Sequence, residues 1–331
     1  MTRVLITGGA GYVGSISASA FLDAGHDVVV LDDLTTGHRS AVPDGATLYT
    51  GTYTDGDAVA RLLQTESIEA ILHCAARSLV GESIREPAKY FRENVAGGVA
   101  LLDAARTAGV ERVVFSSTAA VYGNPTSIPI DEDAPLRPIN PYGESKRAFE
   151  SALGWYGRAY GLRSVTLRYF NVAGASDALG EDHEPETHLI PNVLRAAQGG
   201  LVATVFGDDY PTPDGTCIRD YIHVLDLAEA HLRALEATGP GDSRTIEPLV
   251  CNLGNGGGFS VRQVLAASQS VTGQNIPFTV GPRRAGDPPV LVARASRAAE
   301  ILGWRPARPG LEEMVASAWS WRQAHPRGYR D

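Results

Sequence analysis

The sequence has few cysteines, fewer basic than acidic residues, and no long apolar run. Its 331 residues include three cysteines, Cys74, Cys217 and Cys251, which form neither a CxxC pair nor a cluster with metal-ligand spacing. They predict small buried side chains in a reducing, cytoplasmic compartment, with no metal site. The 29 basic and 38 acidic residues give a net charge of −9, which argues against nucleic acid and anionic lipid as partners. No segment reaches the roughly 20 apolar residues that span a bilayer, so we expect neither a membrane span nor a signal peptide.

The first half of the chain alternates strand-like and helix-like segments. Short β-prone runs lie at 4–7, 27–31, 70–74, 112–116 and 164–168, and helix-like stretches lie near 14–24, 56–65, 91–108 and 144–160. Strands that alternate with helices form a parallel sheet covered on both faces. The pattern predicts an α/β fold with a doubly wound parallel sheet, the Rossmann arrangement.

A glycine-rich turn follows the first strand. Residues 7–14 read TGGAGYVG, with the GxGxxG spacing at Gly9, Gly11 and Gly14. Glycines at this place allow a tight turn and let backbone N–H groups approach a pyrophosphate at the helix N-terminus. Asp32 ends the second strand 18 residues after Gly14, where a carboxylate binds an adenosine ribose and repels a 2′-phosphate. The combination predicts a dinucleotide site that prefers NAD to NADP.

The alternation ends after Asn171, where a segment rich in glycine, proline and acidic residues begins. We therefore predict an NAD-binding Rossmann domain at 1–171 and a smaller C-terminal α/β domain for the substrate at 172–331. Segments near 217–235 are expected to return to the first domain. A site between the two halves is expected at the carboxyl ends of the strands.

A tyrosine and a lysine are spaced for one face of a helix. Tyr142 and Lys146 stand four residues apart after Pro141, and Thr118 lies in the hydroxyl-rich strand end at 115–118. A nearby cation lowers the pKa of a phenol from its usual value of about 10, which suits general acid/base chemistry. The YxxxK spacing alone also fits an ordinary helix with a solvated lysine. The strand-end hydroxyls favour the catalytic interpretation.

Together the glycine loop, the strand-end hydroxyls and the YxxxK pair resemble the extended short-chain dehydrogenase/reductase family. Further motifs resemble its UDP-glucose 4-epimerase subgroup, and the likeness covers nearly the whole chain. They lie at 80–83, 94–95, 121–123, 140–143, 168–171, 206–211, 219–224 and 283–287. The resemblance implies NAD-dependent inversion of C4 of UDP-glucose or UDP-galactose through a transient 4-keto sugar.

The resemblance also implies roles for individual residues. Tyr142 is the base, Lys146 holds the nicotinamide ribose and tunes Tyr142, and Thr118 bonds the reacting sugar hydroxyl. The residues implied to bind NAD are Gly8, Gly11, Tyr12, Val13, Gly14, Asp32, Asp33, Thr52, Tyr53, Ala75, Ala76, Arg77, Asn94, Ser116, Tyr142, Lys146 and Tyr169. Those implied to bind the UDP-sugar are Thr118, Asn171, His188, Leu189, Phe206, Arg219, Arg284, Asp287 and Leu291. A diphosphate also suits arginine, whose planar fork pairs with phosphate oxygens better than a lysine does.

Four positions depart from the family pattern. Thr52 replaces the acid that meets the adenine amino group, and Ile16 replaces a histidine in the first helix. Ser78 stands where a lysine is common, so Arg77 is a candidate to supply that charge. Leu291 is smaller than the tyrosine that restricts the sugar pocket in strict UDP-glucose enzymes. UDP-N-acetylglucosamine therefore stays open as a substrate.

Other functions remain as alternatives. UDP-glucuronate is one alternative substrate, because the positive charges of Arg77 and Arg195 could meet its carboxylate. A 4,6-dehydratase is disfavoured because Ala119 and Ala120 follow Thr118 where those enzymes carry an Asp-Glu pair. A non-catalytic NAD-binding sensor would need only the glycine loop.

A homodimer is expected from two helical segments. Apolar residues recur at helical spacing near 91–108 and 144–160, and epimerases of this type pair two such helices from each subunit. The residues concerned are Val95, Val99, Leu102, Phe149, Leu153 and Tyr156.

Overall fold

The structure, a computed structural model, describes residues 1–199, 201–239, 248–284 and 287–331. Its strands are β1 (Arg3–Thr7), β2 (Asp27–Asp32), β3 (Thr47–Thr50), β4 (Ala70–His73), β5 (Arg112–Thr118), β6 (Arg163–Tyr169), β7 (Asn171–Ala173), β8 (Ala203–Phe206), β9 (Ile218–Arg219), β10 (Tyr221–His223), β11 (Leu249–Leu253), β12 (Phe259–Ser260), β13 (Phe278–Gly281) and β14 (Val290–Leu291). Its helices are α1 (Tyr12–Asp23), α2 (Gly56–Thr65), α3 (Val80–Arg85), α4 (Pro87–Tyr90), α5 (Gly98–Ala108), α6 (Pro141–Tyr160), α7 (Leu189–Ala197), α8 (Val224–Ala237), α9 (Val261–Thr272), α10 (Ser296–Ile301) and α11 (Leu311–Ala324). No helix in these ranges is long and apolar enough to cross a membrane.

The main sheet is parallel and doubly wound. Within the described ranges it holds seven strands in the order β11-β6-β5-β4-β1-β2-β3. The chain runs outward from β1 through β2 to β3 and then resumes on the other side with β4. This reversal opens a crevice at the carboxyl ends of β1 and β4, where doubly wound proteins bind ligands. The predicted fold class is confirmed.

The two faces of the sheet bury separate apolar clusters, because side chains of a strand alternate in direction. On β1, Val4 and Ile6 face α1 and α8, in a cluster that also contains Phe21 and Trp304. Leu5 faces the opposite layer of α2, α5 and α6. These core residues are less than 2% exposed, and burying each large side chain contributes about 1.5–3 kcal/mol. The sheet is thereby a rigid platform for the loops at its carboxyl edge.

The second half of the chain forms smaller sheets over that edge. They pair β10 with β7, β12 and β14 with β9, and β13 with β8, and α7, α9 and α11 pack beside them. The buried carboxylate of Asp220 ties these pieces together by accepting the N–H groups of Asn255, Gly256 and Ala293. Within the segment near 217–235, only α8 joins the main layer, where it packs against α1, whereas β9 and β10 belong to the smaller sheets. The strand β11 also enters the main sheet, which the sequence did not indicate.

Candidate active site

The glycine turn leaves no room for side chains where it is tightest. Gly8 has a φ of +73°, and a Cβ added there would lie 2.7 Å from the backbone nitrogen of Ala75. A Cβ on Gly14 would lie 2.1 Å from the carbonyl oxygen of Gly8. At Gly11 an added Cβ would contact the Gly8 oxygen, at 3.4 Å. Gly11 caps α1 without a side-chain hydrogen bond, so the first amides of this helix, those of Tyr12 and Val13, are available to an anion.

Asp32 lies beside the glycine turn. Its carboxylate accepts the N–H of Ala10 at 3.0 Å and that of Leu34 at 2.9 Å. Burial raises the pKa of Asp32, although these two backbone hydrogen bonds oppose the shift. Asp33 is more exposed and accepts the N–H of Thr35 at 3.0 Å. The two carboxylates thus lie at the end of β2 beside the glycine turn, where the sequence predicts contact with the adenosine ribose.

Tyr12 connects the glycine-turn helix to the second half of the chain. Its hydroxyl donates to the carbonyl oxygen of Gly174 at 2.5 Å, and its ring meets that of His183 edge-on with centroids 6.4 Å apart. Burial raises the pKa of this phenol well above its usual value. The side chain is committed to these contacts. The Tyr12 side chain is therefore not available to a cofactor, whereas its backbone N–H is one of the first amides of α1.

The segment after β4 is held by Asn94. Its side-chain oxygen accepts the N–H of Arg77 at 2.8 Å, and its amide group donates to the carbonyl oxygen of Arg77 and to Ser145, each at 2.9 Å. The guanidinium of Arg77 binds Glu93 and lies 3.9 Å from Asp33. Ala75 and Ala76 precede it at the sheet edge.

Tyr53 and Thr52 follow β3 on the same side of the crevice. The Tyr53 hydroxyl donates to the carbonyl oxygen of Glu93 at 3.0 Å, and its ring lies edge-on to the buried His73 ring. The hydroxyl of Thr52 shares a hydrogen bond with that of Thr54 at 2.9 Å. Tyr53 is thus fixed within the protein, whereas Thr52 remains at the surface.

Tyr142, Thr118 and Lys146 meet where β5 ends against α6. Helix α6 begins at Pro141, and the Asn140 side chain caps it by accepting the N–H of Gly143 at 2.8 Å. Tyr142 is half-buried and hydrogen-bonds to the Thr118 side chain. Lys146 is buried one turn later and donates to the carbonyl oxygen of Ser116 at 2.9 Å.

The pKa of Tyr142 differs from the sequence expectation. Burial raises the pKa of this phenol above 10, and the hydrogen bond with Thr118 lowers it only in part. Within the described residues, Lys146 does not lower the pKa of Tyr142 as predicted. The ammonium is bound to the Ser116 carbonyl and lies 4.8 Å above the Phe115 ring, and burial lowers the pKa of Lys146 to about 8.

Tyr169, Ser116 and Cys74 complete this part of the crevice. Tyr169 ends β6 and hydrogen-bonds to Ser116, and burial raises its pKa well above the usual value. The Ser116 hydroxyl also bonds to His231 Nε2 at 3.0 Å and to Cys74 Sγ at 3.2 Å. Cys217 and Cys251 are buried as predicted, but Cys74 is partly exposed because it faces this crevice.

A buried ion pair that the sequence did not reveal lies beneath the end of β5. Arg168 donates to Glu150 from Nε at 3.0 Å and from Nη2 at 2.6 Å. Ser117 donates to the same carboxylate at 2.5 Å, and Arg168 also donates to the Tyr122 hydroxyl at 2.9 Å. Glu150 stands one turn after Lys146 on α6, and that i, i+4 spacing after the YxxxK lysine was the available signal.

Arg219, Asp287 and Leu291 come together in the smaller sheets. β14 pairs with β9 so that Leu291 is the register partner of Arg219. The guanidinium of Arg219 lies 3.4 Å from the carboxylate of Asp287. The guanidinium of Arg284 lies 4.0 Å above the centre of the Phe206 ring. The structure thus places these five predicted residues in two neighbouring groups above the sheet edge.

His188, Leu189 and Asn171 complete the predicted substrate residues. Asn171 begins β7, directly after β6, and its N–H donates to the Asp220 carbonyl. His188 precedes α7 and does not cap it with its side chain, so the amides of Leu189 and Ile190 are available to an anion. Burial lowers the pKa of His188, but the carboxylates of Glu181 and Glu186 outweigh burial and raise it to about 10.

These features define a dinucleotide-binding protein with acid/base groups beside the crevice. Comparison with known proteins then gives the particular relationship. A UDP-glucose 4-epimerase of Streptomyces lividans is 53% identical in an alignment of 331 residues that covers 99% of this chain and 98% of that protein. The UDP-glucose 4-epimerase of Brucella ovis, solved in complex with NAD, matches with a TM-score of 0.92 at 45% identity, covering 96% of this chain and 98% of that one. The enzyme of Bifidobacterium longum, solved with NAD+ and UDP, matches with a TM-score of 0.93 at 35% identity, covering 99% and 100%.

The sequence model of the NAD dependent epimerase/dehydratase family matches residues 4–248. The chain belongs to that family.

Proposed function

We propose that the chain catalyses NAD-dependent inversion of C4 of a UDP-hexose, interconverting UDP-glucose and UDP-galactose. The observation that carries the proposal is the meeting of Tyr142, Thr118 and Lys146 between two anion sites. One is the glycine turn, and the other comprises Arg219, Arg284 and the start of α7. Relatives solved with NAD and with UDP support the same two ligands.

The described residues fit NAD. The backbone of the glycine turn approaches the crevice because Cβ atoms are missing at Gly8 and Gly14, and α1 begins without a side-chain cap. Asp32 would accept hydrogen bonds from the adenosine ribose, and its negative charge disfavours a 2′-phosphate. Lys146 and Tyr169 would lie at the nicotinamide end, near Tyr142. When bound there, NAD supplies a reversible hydride acceptor for C4.

The chain's own residues supply the proton chemistry. The Tyr142 oxygen takes the proton from the C4 hydroxyl, while Thr118 hydrogen-bonds to the same hydroxyl and fixes its direction. The Lys146 ammonium adds positive charge close by, which favours the phenolate once the site is filled. The sugar then carries a ketone at C4, and Tyr142 returns its proton to the oxygen when C4 is reduced.

Inversion requires that the sugar present its other face before reduction. We assign the anchoring of the diphosphate and uridine to Arg219, Arg284 and the amides at the start of α7. Phe206 offers a flat apolar surface to the base. A firmly held nucleotide with a loosely held hexose allows the 4-keto sugar to turn about its link to the diphosphate.

The structure does not favour UDP-glucuronate. The Arg77 guanidinium is bound by Glu93, donates to the Thr35 hydroxyl at 3.2 Å and lies 3.9 Å from Asp33. Arg195 donates to the carbonyl oxygen of His183 at 3.1 Å and lies 3.9 Å from Asp182. Neither arginine is free to meet the carboxylate of a uronic acid.

The decisive experiment is Tyr142→Phe with Tyr49→Phe as the matched control. Removal of a general acid/base group lowers kcat by about 100- to 10,000-fold. We expect that loss for Tyr142→Phe with NAD still bound, and wild-type turnover for Tyr49→Phe, whose ring lies on the distant strand β3. Turnover is measured on UDP-galactose, and on UDP-N-acetylglucosamine and UDP-glucuronate in parallel. If Tyr142→Phe keeps more than a few per cent of wild-type turnover, Tyr142 is not the base.

A homodimer through α5 and α6 is part of the proposal. Leu102, Phe149 and Leu153 are buried inside the chain, so they are unavailable to a partner. Trp155 and Tyr160 of α6 are 64% and 56% exposed and support an intersubunit face. Light scattering at micromolar concentration should give twice the chain mass, and Trp155→Asp should give a monomer.

The three free cysteines support a cytoplasmic location.

A further inference from the structure

Four metal-ligating side chains converge outside the residues assigned to catalysis. They come from one stretch of eight residues before α7 with the pattern Glu-x-His-x-x-Glu-x-His. One ligand atom from each lies within 4.8 Å of the other three. We call this group the Glu–His cluster, and its members are Glu181, His183, Glu186 and His188.

The distances within the cluster match those around a tetrahedral ion. His188 Nδ1 lies 2.6 Å from Glu181 Oε1 and 3.3 Å from Glu186 Oε1. His183 Nδ1 lies 3.3 Å from Glu181 Oε1 and 3.7 Å from Glu186 Oε2. A zinc ion bonded at about 2.0–2.1 Å to nitrogen and oxygen holds neighbouring ligand atoms about 3.3 Å apart. The four separations lie on both sides of that value, and the shortest, 2.6 Å, is a histidine–carboxylate hydrogen bond that a bound ion would replace.

Two polar atoms in the cluster are buried without a hydrogen-bond partner. They are His183 Nδ1 and Glu186 Oε2, which face each other at 3.7 Å. The Glu186 side chain is 0% exposed, so bulk solvent does not reach it. Buried polar atoms nearly always find a partner, and an orphaned nitrogen and oxygen that face one point indicate a missing ligand.

The chemistry of the donors selects the ion. Two imidazoles and two carboxylates suit zinc, and four protein ligands fill a tetrahedron as in structural rather than catalytic zinc sites. The two carboxylate charges neutralise a dication. Both histidines offer Nδ1 to the cluster, and the His188 side chain is half-exposed.

We propose that the Glu–His cluster is a structural binding site for a divalent transition metal ion, with zinc as the best fit. The ion fixes the loop that joins the two halves of the chain at the crevice. At one end His188 immediately precedes α7, whose first amides face the proposed diphosphate site. At the other end the His183 ring packs against Tyr12 of the glycine-turn helix.

The test is a zinc titration of tag-free, NAD-containing protein that has been stripped with a chelator. Bound metal is measured by elemental analysis and affinity by competition with a chromophoric chelator. The wild type should bind one Zn²⁺ per chain. Glu186→Gln and His183→Gln should each bind at least about tenfold more weakly, since each removes one ligand. Glu184→Gln is the matched control because Glu184 lies exposed in the same loop, outside the cluster.

Each outcome supports or overturns the proposal. One equivalent of zinc that is lost in the two cluster variants and kept in Glu184→Gln supports it. Wild-type protein that binds no zinc, or cluster variants that bind it as tightly as the wild type, overturn it and leave the cluster as histidine–carboxylate ion pairs. If the variants fail to fold, anomalous diffraction from zinc-soaked wild-type crystals decides. A peak between the four ligand atoms supports the site, and its absence there refutes it.

Discussion

The buried ion pair between Glu150 and Arg168 gives the sharpest stability prediction. The side chains are 8% and 5% exposed, and the carboxylate accepts hydrogen bonds from Nε and Nη2 of the guanidinium and from the Ser117 hydroxyl. Glu150→Gln keeps the shape but removes the charge, which leaves a buried cation with the Tyr122 hydroxyl and a backbone carbonyl as its neighbours. Breaking a buried pair in this way costs about 3–5 kcal/mol.

This loss of unfolding free energy can be converted into a decrease in the melting temperature Tm. An unfolding entropy of about 2.1 cal/mol/K per residue gives about 0.7 kcal/mol/K for a chain of 331 residues. We therefore expect Glu150→Gln to lower Tm by about 4–7 °C in calorimetry of the NAD-bound protein.

Glu144→Gln is the matched control on the same helix. Glu144 pairs with Arg147 at 2.6 Å, but their side chains are 35% and 44% exposed. Solvent screens such a pair, whose loss costs at most about 1 kcal/mol, so Tm should fall by no more than about 1.5 °C. Equal shifts for the two variants would refute the argument that burial decides the strength of the pair.

Three further predictions concern the site. Gly14→Ala puts a carbon 2.1 Å from the Gly8 oxygen, so α1 must move and NAD affinity should fall at least about tenfold in a fluorescence titration. Gly154→Ala, whose added carbon lies at an ordinary 3.6 Å from its nearest neighbour, should bind NAD normally. Because burial lowers the pKa of Lys146 to about 8, kcat should decline above about pH 8 as the ammonium loses its proton. Lys146→Arg stays charged there, and its residual activity should lack this alkaline decline. Arg219→Lys keeps the charge but loses the planar fork, so KM for UDP-galactose should rise about tenfold with kcat nearly unchanged.

The first half of the fold could be predicted because its strands are apolar and regularly spaced by helices. β3 could not, because Thr47–Thr50 is short, polar and mostly exposed at the edge of the sheet. β11 could not be predicted for a different reason. Its pairing with β6 joins residues about 80 positions apart, and no local pattern records such a contact.

The site could be predicted where a motif fixes the backbone geometry, as in the glycine turn. It was less predictable where a side chain can form a hydrogen bond or ion pair with any of several neighbouring groups. The spacing predicted that Lys146 lies beside Tyr142. It did not predict that the Lys146 ammonium donates to the Ser116 carbonyl, so that burial determines the pKa of the Tyr142 phenol. Spacing likewise did not show that Glu93 binds Arg77. The Glu–His cluster was not predicted, although its four residues lie within eight positions, because the sequence does not show that their side chains turn toward one another.

The return of β11 to the edge of the main sheet sets an order of events during synthesis. β6 is complete at Tyr169, but its outer neighbour begins only at Leu249. At about 5–20 residues per second, the ribosome needs about 4–16 s to make the intervening stretch. For that time the open edge of β6 can pair with a neighbouring chain, a hazard that sheet edges generally carry. We expect nascent chains to depend on chaperones in this interval, and a fragment ending at residue 171 to aggregate because its edge strand never arrives.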